Sequence, residues 1–283
     1  MHEINLLDET FVKNQSHHYH MSIQTGLNGL SFSILDLQNL KYVGLRNYYF
    51  ENVDSFSEIA SSFTNVFQKD ELISLNYKSV SHIYIGGGST VVPANYFDVQ
   101  HIDDIYKLNF SAVEQTKVMH NALDAGNIIN IFTYPEALLH VLNERLPKCK
   151  LYHHSTPFLQ NVLSESDHLT RPRCFSYLYK GFVTIAVVDN KQILFYNSFA
   201  INSITDIVYY LLSAYEQFNM KPKHLDLFIS SDTDQHDEIF ENLNKYFMHV
   251  RFITPSKQFT YSYLFDELYL TRYANLFNVA LCE

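Results

Sequence analysis

From residue 18 onward the chain runs through three short apolar stretches and then a stretch with helical spacing. Residues 18–25 form the first stretch, which ends at a turn containing glycine, where a positive φ costs nothing. Leu30-Ser31-Phe32-Ser33-Ile34 alternates with period two, the pattern of a half-buried strand, and residues 41–50 form a third run. Phe56, Ile59, Ala60, Phe63, Val66 and Phe67 then recur every three or four positions, which predicts a helix. The same succession returns later. Residues 174–180 form a short run, Val183-Thr184-Ile185-Ala186-Val187-Val188 is apolar on both faces, and residues 192–200 follow the turn Asp189-Asn190-Lys191. Ile207, Val208, Leu211, Leu212, Tyr215 and Phe218 complete this second copy at helical spacing.

At a constant offset of 152, residues 27–67 fall on residues 179–219 without a gap, placing Gly29 on Gly181, Leu35 on Val187 and Phe63 on Tyr215. Each copy reads β-β-β-α, and Asp54-Ser55 and Asn202-Ser203 offer capping oxygens where the helices begin. Strand–helix alternation follows both copies. In the first half the expected elements are strands at 81–85, 127–132 and 150–153, with helices at 135–146 and 157–163. In the second half they are strands at 225–229 and 249–254 around a helix at 234–247. Alternating Phe259, Tyr261, Tyr263 and Phe265 predict a further extended run, and a closing helix is expected over 266–281. An extra stretch at about 86–126 interrupts the first half. The expected division is therefore residues 1–170 and 171–283.

Composition narrows the class. The chain has 283 residues, 47% hydrophobic and 18% charged, with 21 Tyr and 22 Phe, which excludes a disordered chain. Lys+Arg 20 against Asp+Glu 30 gives a net charge of -10, and no basic run offsets it, so no nucleic-acid partner is expected. The acidic opening lacks a signal peptide's basic and apolar regions, and no apolar run is long enough to span a bilayer. Cys149, Cys174 and Cys282 are an odd number at wide spacing, as expected of reduced thiols in the cytoplasm.

The duplicated β-β-β-α-β-α-β-α pattern resembles the actin, sugar-kinase and heat-shock ATPase superfamily, an α/β fold whose lobes have ribonuclease H-like topology. More closely, the chain resembles an uncharacterised bacterial family with that fold, through a Val-Pro element at Thr90-Val91-Val92-Pro93. The resemblance implies ATP held between two lobes, its phosphates cradled by the first hairpin of each half. Transferred to this chain, the cleft residues would be Thr25, Asn28, Gly29, Lys180, Gly181, Ser230, Ser231 and Asp232.

The chain departs from that pattern at each loop. Gln24-Thr25-Gly26-Leu27-Asn28-Gly29 and Tyr179-Lys180-Gly181 lack the superfamily's hairpin carboxylate, so magnesium has no protein ligand there. Ser230-Ser231-Asp232 stands where a glycine pair would admit adenosine. Neither ATP nor magnesium is thus expected as a cofactor, and the residues lean against an enzyme. The expectation is a catalytically degenerate, cytoplasmic adaptor or scaffold that binds another protein. The alternative is a nucleotide switch or slow ATPase or kinase, with Lys180 as the hairpin cation.

Other motifs have simpler readings. Gly86-Gly87-Gly88-Ser89 is expected as a hairpin turn, since no G-x-S-x-G accompanies it to support a hydrolase built on Ser89. His17, His18 and His20 are expected toward solvent rather than on a metal. Asp232, Asp234, Asp237 and Glu238 fit a helix N-terminus. The adjacent pairs Tyr48-Tyr49 and Tyr209-Tyr210 offer exposed tyrosine for an interface.

Overall fold

The computed structural model describes residues 4–166, 171–232 and 236–283, so Asp234 and the expected start of its helix lie outside the described residues. Along the chain come β1 (Ile4–Leu7), β2 (Tyr19–Gly26), β3 (Gly29–Asp36), β4 (Lys41–Tyr49), α1 (Phe56–Lys69) and β5 (Ser79–Tyr84). An inserted unit follows: β6 (Ser89–Pro93), α2 (Ile102–Lys107), β7 (Thr116–Leu123) and β8 (Ile128–Pro135). The first half closes with α3 (Glu136–Arg145), β9 (Lys150–His153) and α4 (Ser155–Glu165). The second half is β10 (Arg173–Tyr179), β11 (Phe182–Asp189), β12 (Gln192–Ala200), α5 (Ile204–Gln217), β13 (Asp226–Ser231), α6 (His236–Asn244) and β14 (His249–Phe252). A two-residue β15 (Thr260–Tyr261) and a short α7 (Ala274–Asn278) complete it.

The two main sheets share one plan. The strand order is β4-β3-β2-β5-β9 in the first and β12-β11-β10-β13-β14 in the second, with β1 and β15 added along β4. In each, three antiparallel strands come first and two parallel strands follow. Residues 31–34 and 183–188 are strands because their apolar positions fill a core. Leu30, Phe32 and Ile34 face α1 and α3, while Val183, Ile185 and Val187 face α5 and α6. Ser55 and Ser203 cap α1 and α5 in reciprocal capping boxes with Glu58 and Asp206. Asn190 and Lys191 adopt positive φ in the tight β11–β12 turn, as a two-residue hairpin requires.

Several expectations need correction. The repeat is not gapless: Gly26 and Gly29 pair across the first hairpin as Tyr179 and Phe182 pair across the second, so Gly29 corresponds to Phe182. Ser55 corresponds to Ser203 because the loop before α1 is longer. The three glycines do not close a hairpin, since β5 lies in the main sheet and β6 pairs with β8 in a separate sheet of order β6-β8-β7. That sheet also takes the strand expected at 127–132. The closing helix is broken into 3-10 turns and the five-residue α7. Residues 273–279 are all buried, so that segment has no solvent face to sustain an amphipathic helix.

Between the sheets, α4 covers the inner face of the second sheet, with Phe158, Leu159 and Val162 against Tyr177 and Ala186. The C-terminal segment covers the inner face of the first, with Phe265, Leu276 and Phe277 against Leu35, Tyr42 and Leu45. No helix among the described residues is long and apolar enough to cross a membrane.

Candidate functional site

The β2–β3 hairpin of the first sheet and the β10–β11 hairpin of the second face each other across a cavity of about 600 Å³. Asn28, Gly29, Lys180 and Asp232 of the expected set line it. The other four point elsewhere. Thr25 alternates to the far face of β2, where its Oγ1 meets His82 Nε2 at 2.9 Å. Ser230 is buried and donates to the Thr271 carbonyl at 3.0 Å, and Ser231 is buried beside it. Gly181, at φ +92, borders an adjacent cavity shared with Ser203 and Glu238.

Gln24, Ser31, Asn47, Tyr49, Tyr179 and Arg272 complete the cavity's chemistry. Cross-strand register explains three of them. Gln24 is opposite Ser31 on β2–β3, and Ser31 is opposite Asn47 on β3–β4, so all three share one face of the sheet. Ser31 Oγ donates to Asn47 Oδ1 at 2.6 Å. The signal was the serine alternation in residues 31–33: serine on the second face of a strand suits burial under another element as well as it suits water. Arg272 comes from the C-terminal segment and was not legible as a cleft residue.

Asp232 sits at the centre. Gln24 Nε2 donates to its Oδ2 at 2.9 Å, and Arg272 Nε donates to its Oδ1 at 3.3 Å, with both charged side chains mostly buried. The Arg272 guanidinium also stands 5.7 Å from the centre of the Tyr49 ring. Gln24 belongs to the first sheet and Asp232 follows the second, so this chain of contacts ties the lobes together. Tyr179 makes the second tie. Its hydroxyl accepts from the Asn28 backbone N–H at 3.3 Å and stays protonated, because burial and then the nearby Asp232 charge push its pKa up.

Gly26 makes that approach possible, since a Cβ there would collide with the Tyr179 hydroxyl. Gly26→Ala is therefore expected to destabilise the protein by about 1–3 kcal/mol, and Tyr179→Phe in the same chain should return part of the loss by removing the obstructing oxygen. Urea unfolding of the two single variants and the double variant measures it; strictly additive losses would contradict the contact.

Other expected chemistry resolves differently. Ser89 is buried, with its hydroxyl against that of Tyr196, and is no accessible nucleophile. His20 is not at the surface: it is buried between Ser79 and Ser22, because the second face of β2 is also covered. Asp237 meets the Tyr269 hydroxyl at 3.4 Å. The three cysteines are free, and no group of three His, Cys, Asp or Glu among the described residues is arranged to hold a metal.

Residues 8–250 match a family described as a protein of unknown function, DUF3822. The chain belongs to that family. No curated protein matches. Among solved structures, this DUF3822 chain is similar to a protein of actin-like ATPase fold and unknown function from Bacteroides thetaiotaomicron VPI-5482. The TM-score is 0.79 at 23% identity, over 86% of this chain and 94% of that one. It is similar at lower identity to the PilM–PilN type IV pilus biogenesis complex, with TM-score 0.57, 9% identity, and coverage of 93% and 96%. The ethanolamine utilization protein EutJ from Carboxydothermus hydrogenoformans gives TM-score 0.55, 9% identity, and coverage of 94% and 90%. The DUF3822 chain thus has the actin-like ATPase fold.

Proposed function

We propose that this chain is a catalytically degenerate member of the actin-like ATPase superfamily that works as an adaptor, binding another protein. One observation carries the reading: the space between the two hairpins is spanned by the protein's own side chains. Tyr179 reaches from one hairpin to the other, and both Asp232 oxygens are engaged, by Gln24 and Arg272. Magnesium is a hard cation that needs carboxylate oxygens or water, and a phosphate chain needs cations that are not already neutralised. Here the central carboxylate is committed to Gln24 and Arg272 rather than offered to a metal ion.

The adaptor half draws support from the inserted unit, where Tyr96 and Leu108 are each 82% exposed. Large apolar side chains held in water favour a protein interface. A structural neighbour, PilM, is itself recorded in complex with PilN.

Purified protein is expected to hydrolyse ATP with magnesium only at the buffer rate, equally in wild type and in Asp232→Asn. Turnover that Asp232→Asn abolishes would overturn the degenerate assignment. Native purification is expected to retain a stoichiometric protein partner that Leu108→Glu releases while the variant stays folded. Wild type recovered alone would refute the adaptor role.

A further inference from the structure

The chain's charge is unevenly spread, and the end of the second half away from the cleft is basic. Residues 219–226 and 244–251 carry four cations, Lys221, Lys223, Lys245 and Arg251, against a single carboxylate, Asp226. Residues 227–243 separate the two segments, so neither forms a basic run along the chain. Folding joins them. The Met248 backbone N–H donates to the Pro222 carbonyl at 3.0 Å, and Lys223 Nζ donates to the Lys245 carbonyl at 3.2 Å. Parallel pairing of β13 with β14 sets Asp226 beside His249, and Arg251 Nε meets the Asp226 carboxylate at 3.2 Å. All four cations are exposed. From Asp226 at this end, β13 runs toward Asp232 in the inter-lobe cavity, about 20 Å away at strand spacing.

Two large side chains with apolar bodies stand among these cations. Tyr246 is 47% exposed and Met248 60%, on either side of Phe247, which is buried against Tyr215 and pins the loop. Cations around projecting apolar groups match the boundary of a phospholipid bilayer, where phosphates meet acyl chains. The kind of cation separates this from a protein partner. Three of the four are lysines, which protein–protein interfaces disfavour, whereas they favour the bidentate fork of arginine. A charged bilayer attracts lysine through its surface potential, without demanding a fixed geometry. The chain's net charge of -10 does not oppose this, because carboxylates elsewhere are screened beyond about 8 Å at physiological salt.

We propose that residues 219–226 and 244–251 together form a docking surface for an anionic membrane. Lys221, Lys223, Lys245 and Arg251 face the lipid phosphates, and Tyr246 and Met248 enter the headgroup layer between them. The chain then lies on the bilayer without crossing it, in keeping with the lack of a spanning helix among the described residues. This surface uses neither the inter-lobe cavity nor Tyr96 and Leu108 of the inserted unit. It goes beyond the adaptor reading and does not rest on it.

Co-sedimentation of the intact chain with sucrose-loaded vesicles tests it. The vesicles are phosphatidylcholine alone and phosphatidylcholine with about 30% phosphatidylglycerol, at about 0.1 M and about 0.5 M salt. Binding to the anionic vesicles at the lower salt is expected to exceed binding to the neutral ones about tenfold or more, and to fall at the higher salt. Each Lys or Arg near such a surface adds about fivefold, so Lys221→Gln with Lys223→Gln should weaken binding about twentyfold. Met248→Gln should weaken it about threefold and leave the salt dependence unchanged, since it removes apolar contact and no charge. Circular dichroism checks that each variant is folded. Wild type that binds neither vesicle, or both equally, would overturn the proposal, as would anionic binding that the folded lysine variant leaves unchanged. Hexaglutamate and duplex DNA are the soluble probes. Either one bound more tightly than the vesicles would overturn the membrane in favour of an acidic protein or a nucleic acid. The wild-type results decide even where a variant fails to fold.

Discussion

Lowering the pH from about 6.5 to about 5.5 is expected to remove roughly 4 kcal/mol of folding stability, through four buried neutral histidines. His82 lies between Thr25 Oγ1 and the Tyr134 hydroxyl, and burial lowers its pKa to about 3. His153 lies between Ser155 Oγ and the Gly86 carbonyl, and burial takes it to about 3 against a partial offset from that carbonyl. His20 is lowered to about 4, chiefly by burial, with Glu283 opposing and Lys150 adding to the shift. His154 is held well below 6.5 by burial and then by His153. In the unfolded chain all four take up a proton near pH 6.5, so below that value the unfolded state binds more protons and stability falls with pH. The loss begins near pH 6.5 and continues down toward the folded values, at about 1.4 kcal/mol per pH unit for each residue. Since domains are stable by only about 5–15 kcal/mol, acid unfolding is expected near pH 5.

Urea unfolding between about pH 7.5 and 5 reads this directly; a stability that stays level over that range would show the histidines are not buried neutral. His154→Phe isolates one contribution. The ring already stacks on Tyr177 at 5.0 Å, and its Nδ1 has no partner among the described residues. Phenylalanine keeps the stacking without the proton site, so the slope should shrink by about a quarter while stability near pH 7.5 changes little.

The parts of the fold that could be read in the chain are those where one local rule acts alone. The helix faces of α1 and α5, their serine caps and the Asp189-Asn190-Lys191 turn all follow from spacing and side-chain chemistry within a few residues. What misled was burial of a second face. Ser31 and Ser33 alternate with Phe32 as if toward water, yet Ser31 is 7% exposed because the C-terminal segment returns from the second half to cover that face. The same cover buries His20. Arg272 could not be assigned to the cleft, because its position depends on a contact with Asp232 forty residues away in the chain. The hairpins themselves were readable, so half of the expected cleft residues line the cavity. Thr25 fails for a period-two reason: it is the next residue after Gln24 and therefore points to the opposite side.

Asp232→Ala is expected to cost about 2–4 kcal/mol, because it removes the mostly buried carboxylate that Arg272 and Gln24 both bond. The loss should depend on Arg272. Removing either partner forfeits the whole contact between them, so removing the second costs nothing more at that contact. Asp232→Ala with Arg272→Ala should therefore be more stable than the two single losses added together, by about 1–3 kcal/mol. A structural effect limited to packing around Asp232 would give additive losses instead. The second readout is local. The Asn28 amide is held by the Tyr179 hydroxyl across the lobe boundary, beside the Asp232 tie. If Asp232 holds the lobes together, hydrogen exchange at Asn28 should accelerate in Asp232→Ala by more than the global destabilisation explains, while amides near Leu211 and Tyr215 of α5, packed in the core of the second half, follow global stability alone. Unchanged relative protection at Asn28 would mean that Tyr179 alone keeps the hairpins together, and that the Gln24–Asp232–Arg272 chain contributes stability without closing the cleft.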